Sequence, residues 1–551
     1  MSITQRIWKY RMHYLIVIPA VLFLIGFKII PFFSGLYMSL VDYQFHKDLF
    51  QSEWVGLRHY ARLFSGDTLF WQLLRNTLSI KLGYMLASGL LAFVLAIALS
   101  LVRSRVLRGS LLTLFLIPYF IPSGVFAYVV AWLLSEGQSP IASLNVTALA
   151  QAELFQPIAI AAETFKTCGI AIAVALAAIS SRQASLAGEA SLFVQAKVIP
   201  AARAVAAFLL LQLTYILSGD FELLQSLLNP LVRQTGETLE TYGFNAFLMQ
   251  MNTGTGASIQ IILIIVQLVF AYGAYLLVKR YFIGDLFSGI AEAGKLNGRS
   301  SLSGGAAAGT AVSVLYGLAV LAFLYVLFIY PFTMSAENGV LQLIKPVHYI
   351  LYLMIGFIAA IFHMMMITLL AYPLTVRRLP GKAVYTFFLI LLAVLGSSYV
   401  FEFFQARTMG MNNTVFPIFL YGIIAIVPVF VLKSIFNSKY SDLKEQAEQE
   451  GKGEAHAFVM LYLPKLWKPI LALGVLQFVA IWNAFIPSVM HIADPNMFSP
   501  VYQFRALAQS GMHFVDVLRY GAIVSLPSVL LFLVFRRWIT SEVLLGHVRK
   551  L

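Results

Sequence analysis

Long apolar runs dominate this chain and decide what it can fold into. Stretches of roughly 18 residues or more recur with few charges, the length a helix needs to cross a bilayer. The chain is 60% hydrophobic and only 11% charged, against about 25% charged in a soluble globular domain. Its 551 residues would otherwise suggest roughly three or four soluble domains, but the runs overrule that prior. The expected fold class is an all-α membrane protein.

Spans are expected near 13–33, 77–101, 110–134, 157–179, 203–218 and 257–278, then near 310–332, 347–372, 384–401, 416–436, 467–489 and 516–535. The N-terminus carries Arg6, Lys9 and Arg11 before its apolar run, but no small-residue cleavage site follows, so the run reads as a retained first span. With both termini in the cytoplasm, the external loops hold 8 Lys and Arg. The cytoplasmic segments hold about three times as many, the bias expected of this orientation. The same bias explains the net charge of +14 without nucleic acid. The single cysteine, Cys168, excludes a disulfide framework within the chain.

The twelve spans divide into two sets of six. Residues 1–280 form the first half and 310–551 the second. Between them 281–309, ending in SSLSGGAAAGT, has the composition of a flexible cytoplasmic linker.

Between two apolar runs, 437–466 is polar and charged in both signs, with Glu445, Ala447, Gly451, Phe458 and Pro464 as its skeleton. This resembles the EAA loop of permeases in binding-protein-dependent ABC importers, including the 13-residue step from Gly451 to Pro464. The equivalent loop 180–203 keeps Ala184, Ala187, Gly188 and Pro200, with a step of 12. It lacks the motif glutamate, whose place falls near Ser181 and Arg182. Either that copy docks more weakly, or Glu189 or Arg182 compensates.

The first half also resembles maltose-type permeases, in the branch associated with aldouronates and polysaccharide fragments. The matching pieces are Trp54-Val55-Gly56-Leu57, Leu74-Arg75-Asn76-Thr77-Leu78, Ile117-Pro118, Asp220-Phe221-Glu222, Leu228-Asn229-Pro230 and Glu240-Thr241-Tyr242. The second half resembles the usual partner permease, through Ala371-Tyr372-Pro373-Leu374, Gly410-Met411-Asn412-Asn413-Thr414 and Trp482-Asn483. The resemblance implies two six-helix ABC importer permease bundles fused in one chain of the cytoplasmic membrane. It implies a sugar or oligosaccharide substrate, an extracellular solute-binding protein and two cytoplasmic ATPase subunits.

It also implies roles for the loop residues. Glu445, Ala447, Gly451 and Pro464, with Ala187, Gly188 and Pro200, would couple the permease to the ATPases. Glu445 would either accept hydrogen bonds from an ATPase subunit or lock the loop to its own permease. Gly451 permits a turn or close backbone approach, and Pro464 stops or kinks a helix before the next span.

Charged and polar groups inside spans tend to face a cavity or a partner. Glu163 and Lys166 lie three apart on one helix face, as a structural ion pair or as part of a substrate path. Gln212, Tyr215, Trp482 and Asn483 offer hydrogen bonds and aromatic faces to a sugar, or else bond helix to helix. Pro118 and Pro122 shape the third span, and His363 among methionines reads as packing. The sequence carries no metal cluster, nucleophile–base signature or dinucleotide fingerprint, which points to a non-enzyme with no cofactor, its ATP bound by partner subunits. Twelve spans in two halves also suit an ion-coupled secondary carrier or a transporter-like substrate sensor.

Overall fold

The computed structural model describes residues 8, 10–44, 48–65, 69–135, 148–185, 193–281, 303–335, 344–376, 379–395, 398–420, 422, 426–440, 443, 446, 450 and 453–540. It is an all-α membrane protein. A two-stranded ribbon pairing Val41 with Trp54 and Asp42 with Glu53 is the sheet among these residues.

The first half contains α1 (Arg11–Met38), α2 (Leu69–Leu101), α3 (Arg105–Phe120), α4 (Ser123–Leu133), α5 (Ala152–Ser185), α6 (Val194–Tyr215), α7 (Phe221–Leu227), α8 (Leu239–Leu248) and α9 (Thr253–Tyr281). The second contains α10 (Ser303–Phe328), α11 (Pro346–Ala371), α12 (Lys382–Leu395), α13 (Tyr399–Thr408), α14 (Ile426–Lys439), α15 (Glu454–Asn483), α16 (Ile486–His491), α17 (Pro500–Gln509) and α18 (Phe514–Trp538).

Among the described residues, nine helices are long and apolar enough to span a bilayer, or ten if the bent pair α3–α4 is one span. The apolar stretches Lys382–Leu392 and Val427–Asn437 stand where the ninth and tenth spans were expected. At 1.5 Å per residue each is only about 17 Å long, short of a hydrocarbon core of ~30 Å. Spans of full length among the described residues therefore number nine or ten, against the twelve expected.

Proline sets the bends. Pro118 lies in a 3-10 turn over Ile117–Phe120, and Pro122 holds Ile121 in an extended conformation (φ −81°, ψ 132°). The helix breaks there by 99°. Elsewhere a π-helical turn runs directly into an X-Pro step three times: Ile25–Ile29 before Pro31, Val194–Val198 before Pro200, and Ala457–Tyr462 before Pro464. Proline has no N–H to donate, and its ring crowds the carbonyl four residues back. A wider turn takes up that mismatch without ending the helix.

The halves exchange their first spans. Helix α1 packs on α11 of the second half, while α10 packs on α2 and α3 of the first. Small residues permit the α10 contact: a Cβ at Gly309 would stand 2.7 Å from Leu101 Cβ and 2.8 Å from the Ala98 carbonyl. Helix α10 begins at Ser303, inside the stretch expected to be linker, because its Ala-Gly run has a helix to pack against; residues 282–302 lie outside those described. Across the halves, Lys28 pairs with Glu402 and Tyr14 donates to the Pro380 carbonyl at 2.9 Å.

Candidate functional site

Helix α6 ends at Tyr215 and α15 at Asn483. Each is followed by a short helix, α7 or α16. Where they stop, a cavity of about 320 Å³ opens between the halves. The first half lines it with Tyr215, Ser218, Gly219, Asp220, Phe221, Glu222, Glu240 and Gln267. The second contributes Tyr399, Ala480, Asn483 and Ala484.

The wall is a connected polar network. Asp220 caps α7, its Oδ1 accepting from the Leu223 N–H at 3.1 Å. Its Oδ2 accepts from Lys166 Nζ at 2.8 Å and from the Ser123 hydroxyl at 3.0 Å. The Asp220 N–H donates to Glu163 Oε1 at 3.2 Å. Glu163 Oε2 has no hydrogen-bond partner among the described residues, and it lies 3.5 Å from where a Gly219 side chain would begin. Glu240 stands beside Ser218 and Gly219 in the lining, and Gln267 donates to Ser218 Oγ at 3.0 Å. Lys81 is buried behind this wall, 3.5 Å from Gln212 Oε1.

Glu222 joins the halves. No side chain of its own caps the short helix α16. Instead Glu222 Oε1 accepts from the Phe485 N–H at 2.9 Å and the Ile486 N–H at 3.3 Å. Burial first, and then the neighbouring Asp220 carboxylate, push the Glu222 carboxyl up to about 8. Burial likewise pushes Glu240 up to about 8, against the pull of the Lys81 ammonium.

The expected path residues separate into two groups. Tyr215, which is 46% exposed, and Asn483 line the cavity. Glu163 and Lys166 stand behind its wall, but Lys166 pairs with Asp220 rather than Glu163. A helical step of three puts both side chains on one face, and the cap of α7 brings a better-placed carboxylate to the lysine. Gln212 and Trp482 are not in the lining. Trp482 is buried between helices, its indole N–H donating to the Val524 carbonyl at 2.8 Å. Asn483 also ties the halves together, donating to the Phe120 carbonyl at 3.1 Å and accepting from Ser528 Oγ at 2.6 Å. Asn483→Ala is expected to cost about 1 kcal/mol, the scale of an interhelical bond in membranes. A fall in thermal stability of the purified protein in detergent would register it. His363 packs as expected, bonded to the Phe419 carbonyl and to Gln477.

Asp220, Glu222 and Glu240 stand in motifs visible in the sequence, but nothing local marks them as path residues. Their segment reads as an external loop, and only the tertiary fold brings it back between the halves. Lys81, Ser218, Gln267 and Tyr399 carry no motif at all.

Of the expected coupling residues, Glu445, Ala447, Gly451, Ala187 and Gly188 lie outside the described residues. Pro200 and Pro464 follow the π turns described above. At the same end of the second loop, Glu454 accepts from the Tyr372 hydroxyl at 2.6 Å and lies 3.0 Å from His13 Nε2. His13 stacks on Tyr372. The loop is thus tied to both halves at once.

No protein-family model matches the chain. Among curated proteins, it is 28% identical over 283 residues to the polygalacturonan/rhamnogalacturonan transport system permease protein YteP of Bacillus subtilis (strain 168), covering 49% of this chain and 88% of that one. It is 24% identical over 201 residues to the arabinooligosaccharides transport system permease protein AraQ of Halalkalibacterium halodurans, covering 35% and 71%. Among solved structures, a chain of a bacterial alginate ABC transporter superposes with a TM-score of 0.44 and 24% identity, covering 50% of this chain and 96% of that one. With these homologues, the chain is a permease subunit of the ABC importer class.

Proposed function

We propose that one chain supplies both permease halves of an importer for oligosaccharides or related sugars. The observation that carries this reading is a matter of length: about half of the chain accounts for 88% of the permease YteP. The reciprocal packing of α1 on α11 and α10 on α2 supports it. Substrate would pass between the halves through the cavity, touching Tyr215 and Asn483, with Glu163 and Lys166 holding its wall and Gln212 and Trp482 acting from outside it.

Segments expected on the same side of the membrane meet, which supports their grouping, and the Lys and Arg bias assigns the end with the termini to the cytoplasm. His13, Tyr372 and Glu454 meet at one end. At the other, Asn413 bonds His491 and Ala493, and Lys345 bonds Asn496. An extracellular binding protein would deliver sugar to the latter end. Two ATPase subunits would dock at 180–203 and 437–466, where Ala187, Gly188 and Pro200, and Glu445, Ala447, Gly451 and Pro464, would transmit their closure.

The test is co-purification with ATPase subunits and substrate-stimulated ATP hydrolysis. Gly451→Asp is expected to block coupling while membrane insertion stays intact, and Gly188→Asp to do less, since that loop lacks the motif acid. Glu454→Ala is expected to lower stimulated hydrolysis without releasing the ATPases, because it frees the loop from His13 and Tyr372 rather than from its partner. A permease that holds no ATPase would count against the reading.

A further inference from the structure

Two cations stand together without a counter-charge at the end of the first half that carries the loop 180–203. Lys197 lies in the π turn that opens α6, and Arg108 lies one turn into α3. The starts of both helices pack on α5, and Leu111, Ile179 and Ala201 join α3, α5 and α6 in one apolar cluster. The charges of Lys197 and Arg108 are close enough to repel, and Arg105 adds to the repulsion on Arg108. Lys197 is only 6% exposed, and Arg108 is half-buried. Neither side chain has an ion-pair or hydrogen-bond partner among the described residues. The Lys197 ammonium lies over the Phe193 ring, 5.6 Å from its centre.

The rim around the two cations is apolar. Val106 is 80% exposed and Val194 53%, and Leu107, Phe193 and Ile199 are exposed beside them. Such a rim is stable against acyl chains and costly against water. Cations set in it mark the boundary between hydrocarbon and headgroups, where Lys and Arg extend their charge into the polar layer. A buried cation that the protein leaves uncompensated calls for an anion from outside.

A phospholipid meets both demands, with chains for the rim and a phosphate for the cations. We infer that one anionic phospholipid binds here, its phosphate held between the Arg108 guanidinium and the Lys197 ammonium. The guanidinium fork matches two phosphate oxygens, and the ammonium adds a compact point charge. The headgroup must carry net negative charge, because a zwitterionic one brings its own cation to its phosphate. The second loop does not repeat the lysine: Leu461 stands three residues before Pro464, where Lys197 stands three before Pro200. The lipid therefore belongs to the loop that lacks the motif glutamate. The inference needs the membrane class alone and not the transport reading; the orientation proposed above puts the lipid in the cytoplasmic leaflet, the anionic one.

The experiment offers the purified chain in detergent equal amounts of dioleoyl-phosphatidylglycerol and dioleoyl-phosphatidylcholine, and native mass spectrometry reads what is retained. Phosphatidylglycerol is expected to be held in preference. The double variant Arg108→Gln with Lys197→Gln is expected to weaken its retention by about tenfold or more, the effect of two cations at a membrane surface. Arg536→Gln with Arg537→Gln removes the same charge from exposed positions at the end of α18 and is expected to leave retention unchanged. Excess inorganic phosphate is expected not to displace the lipid, since it brings no chains to the rim. Equal retention of both lipids by the parent protein would overturn the inference, a comparison that stands even if the double variant does not fold. Full retention by a folded double variant, or displacement by inorganic phosphate, would overturn it too. A double variant that keeps its lipid but no longer co-purifies with ATPase subunits would assign the two cations to a protein contact instead.

Discussion

Asp220→Ala is expected to destabilise the protein by about 3–5 kcal/mol, the cost of stranding one member of a buried ion pair. Lys166 is 6% exposed, and its ammonium bonds Asp220 Oδ2 at 2.8 Å. Without that carboxylate the lysine keeps its desolvation cost and loses its counter-charge. The same substitution removes the cap from the Leu223 N–H and the acceptor for Ser123, so α7 loosens where it forms the cavity wall. The double variant Asp220→Ala with Lys166→Met removes both charges and is expected to recover a large part of the loss. Thermal unfolding of the four proteins in one detergent, read as a double-mutant cycle, checks this. Equal stability of the single and double variants would show that the ion pair is not what the fold depends on there.

Gly169→Leu is expected to cost about 3 kcal/mol or more, through overpacking with no room to relax. Gly169 lies on α5 where α3 crosses it. A Cβ there would stand 2.2 Å from the Phe115 carbonyl oxygen and 2.8 Å from its carbon. Both are backbone atoms of a neighbouring helix, so the helices themselves must part. Gly273 on α9 is the control, since nothing lies within 4 Å of a Cβ placed there. Gly273→Ala is expected to be neutral, or to stabilise by up to about 1 kcal/mol through helix propensity. Expression and detergent stability of the two variants should diverge sharply.

The sequence made the membrane class and the proline bends legible, because each depends on local chemistry. Apolar length is a property of a segment alone, and proline acts on its own turn. Pro118 and Pro122 could be placed as helix-shapers on that ground. The contact between α10 and α2 was not legible: Gly309 reads as linker until Leu101 and Ala98 are brought against it. The cavity was half legible. Tyr215 and Asn483 were visible as polar groups inside spans, and they do line it. The pairing of Lys166 was not, since its partner is 54 residues away on a segment that reads as external. Likewise, among the described residues the apolar stretches Lys382–Leu392 and Val427–Asn437 are shorter than the ninth and tenth spans expected there. Composition marks where a chain prefers lipid, whereas helix length also depends on what packs beside it.

The most direct test of the account separates ATP from ion gradients as the driving force. Proteoliposomes are prepared with the chain and its ATPase subunits, loaded with a labelled oligosaccharide on the binding-protein side, and assayed with and without ATP and an ionophore. The account predicts uptake that requires both ATP and the ATPase subunits and survives collapse of the proton and sodium gradients. Uptake by the chain alone, without ATP and abolished by the ionophore, would contradict it and make the molecule an ion-coupled carrier.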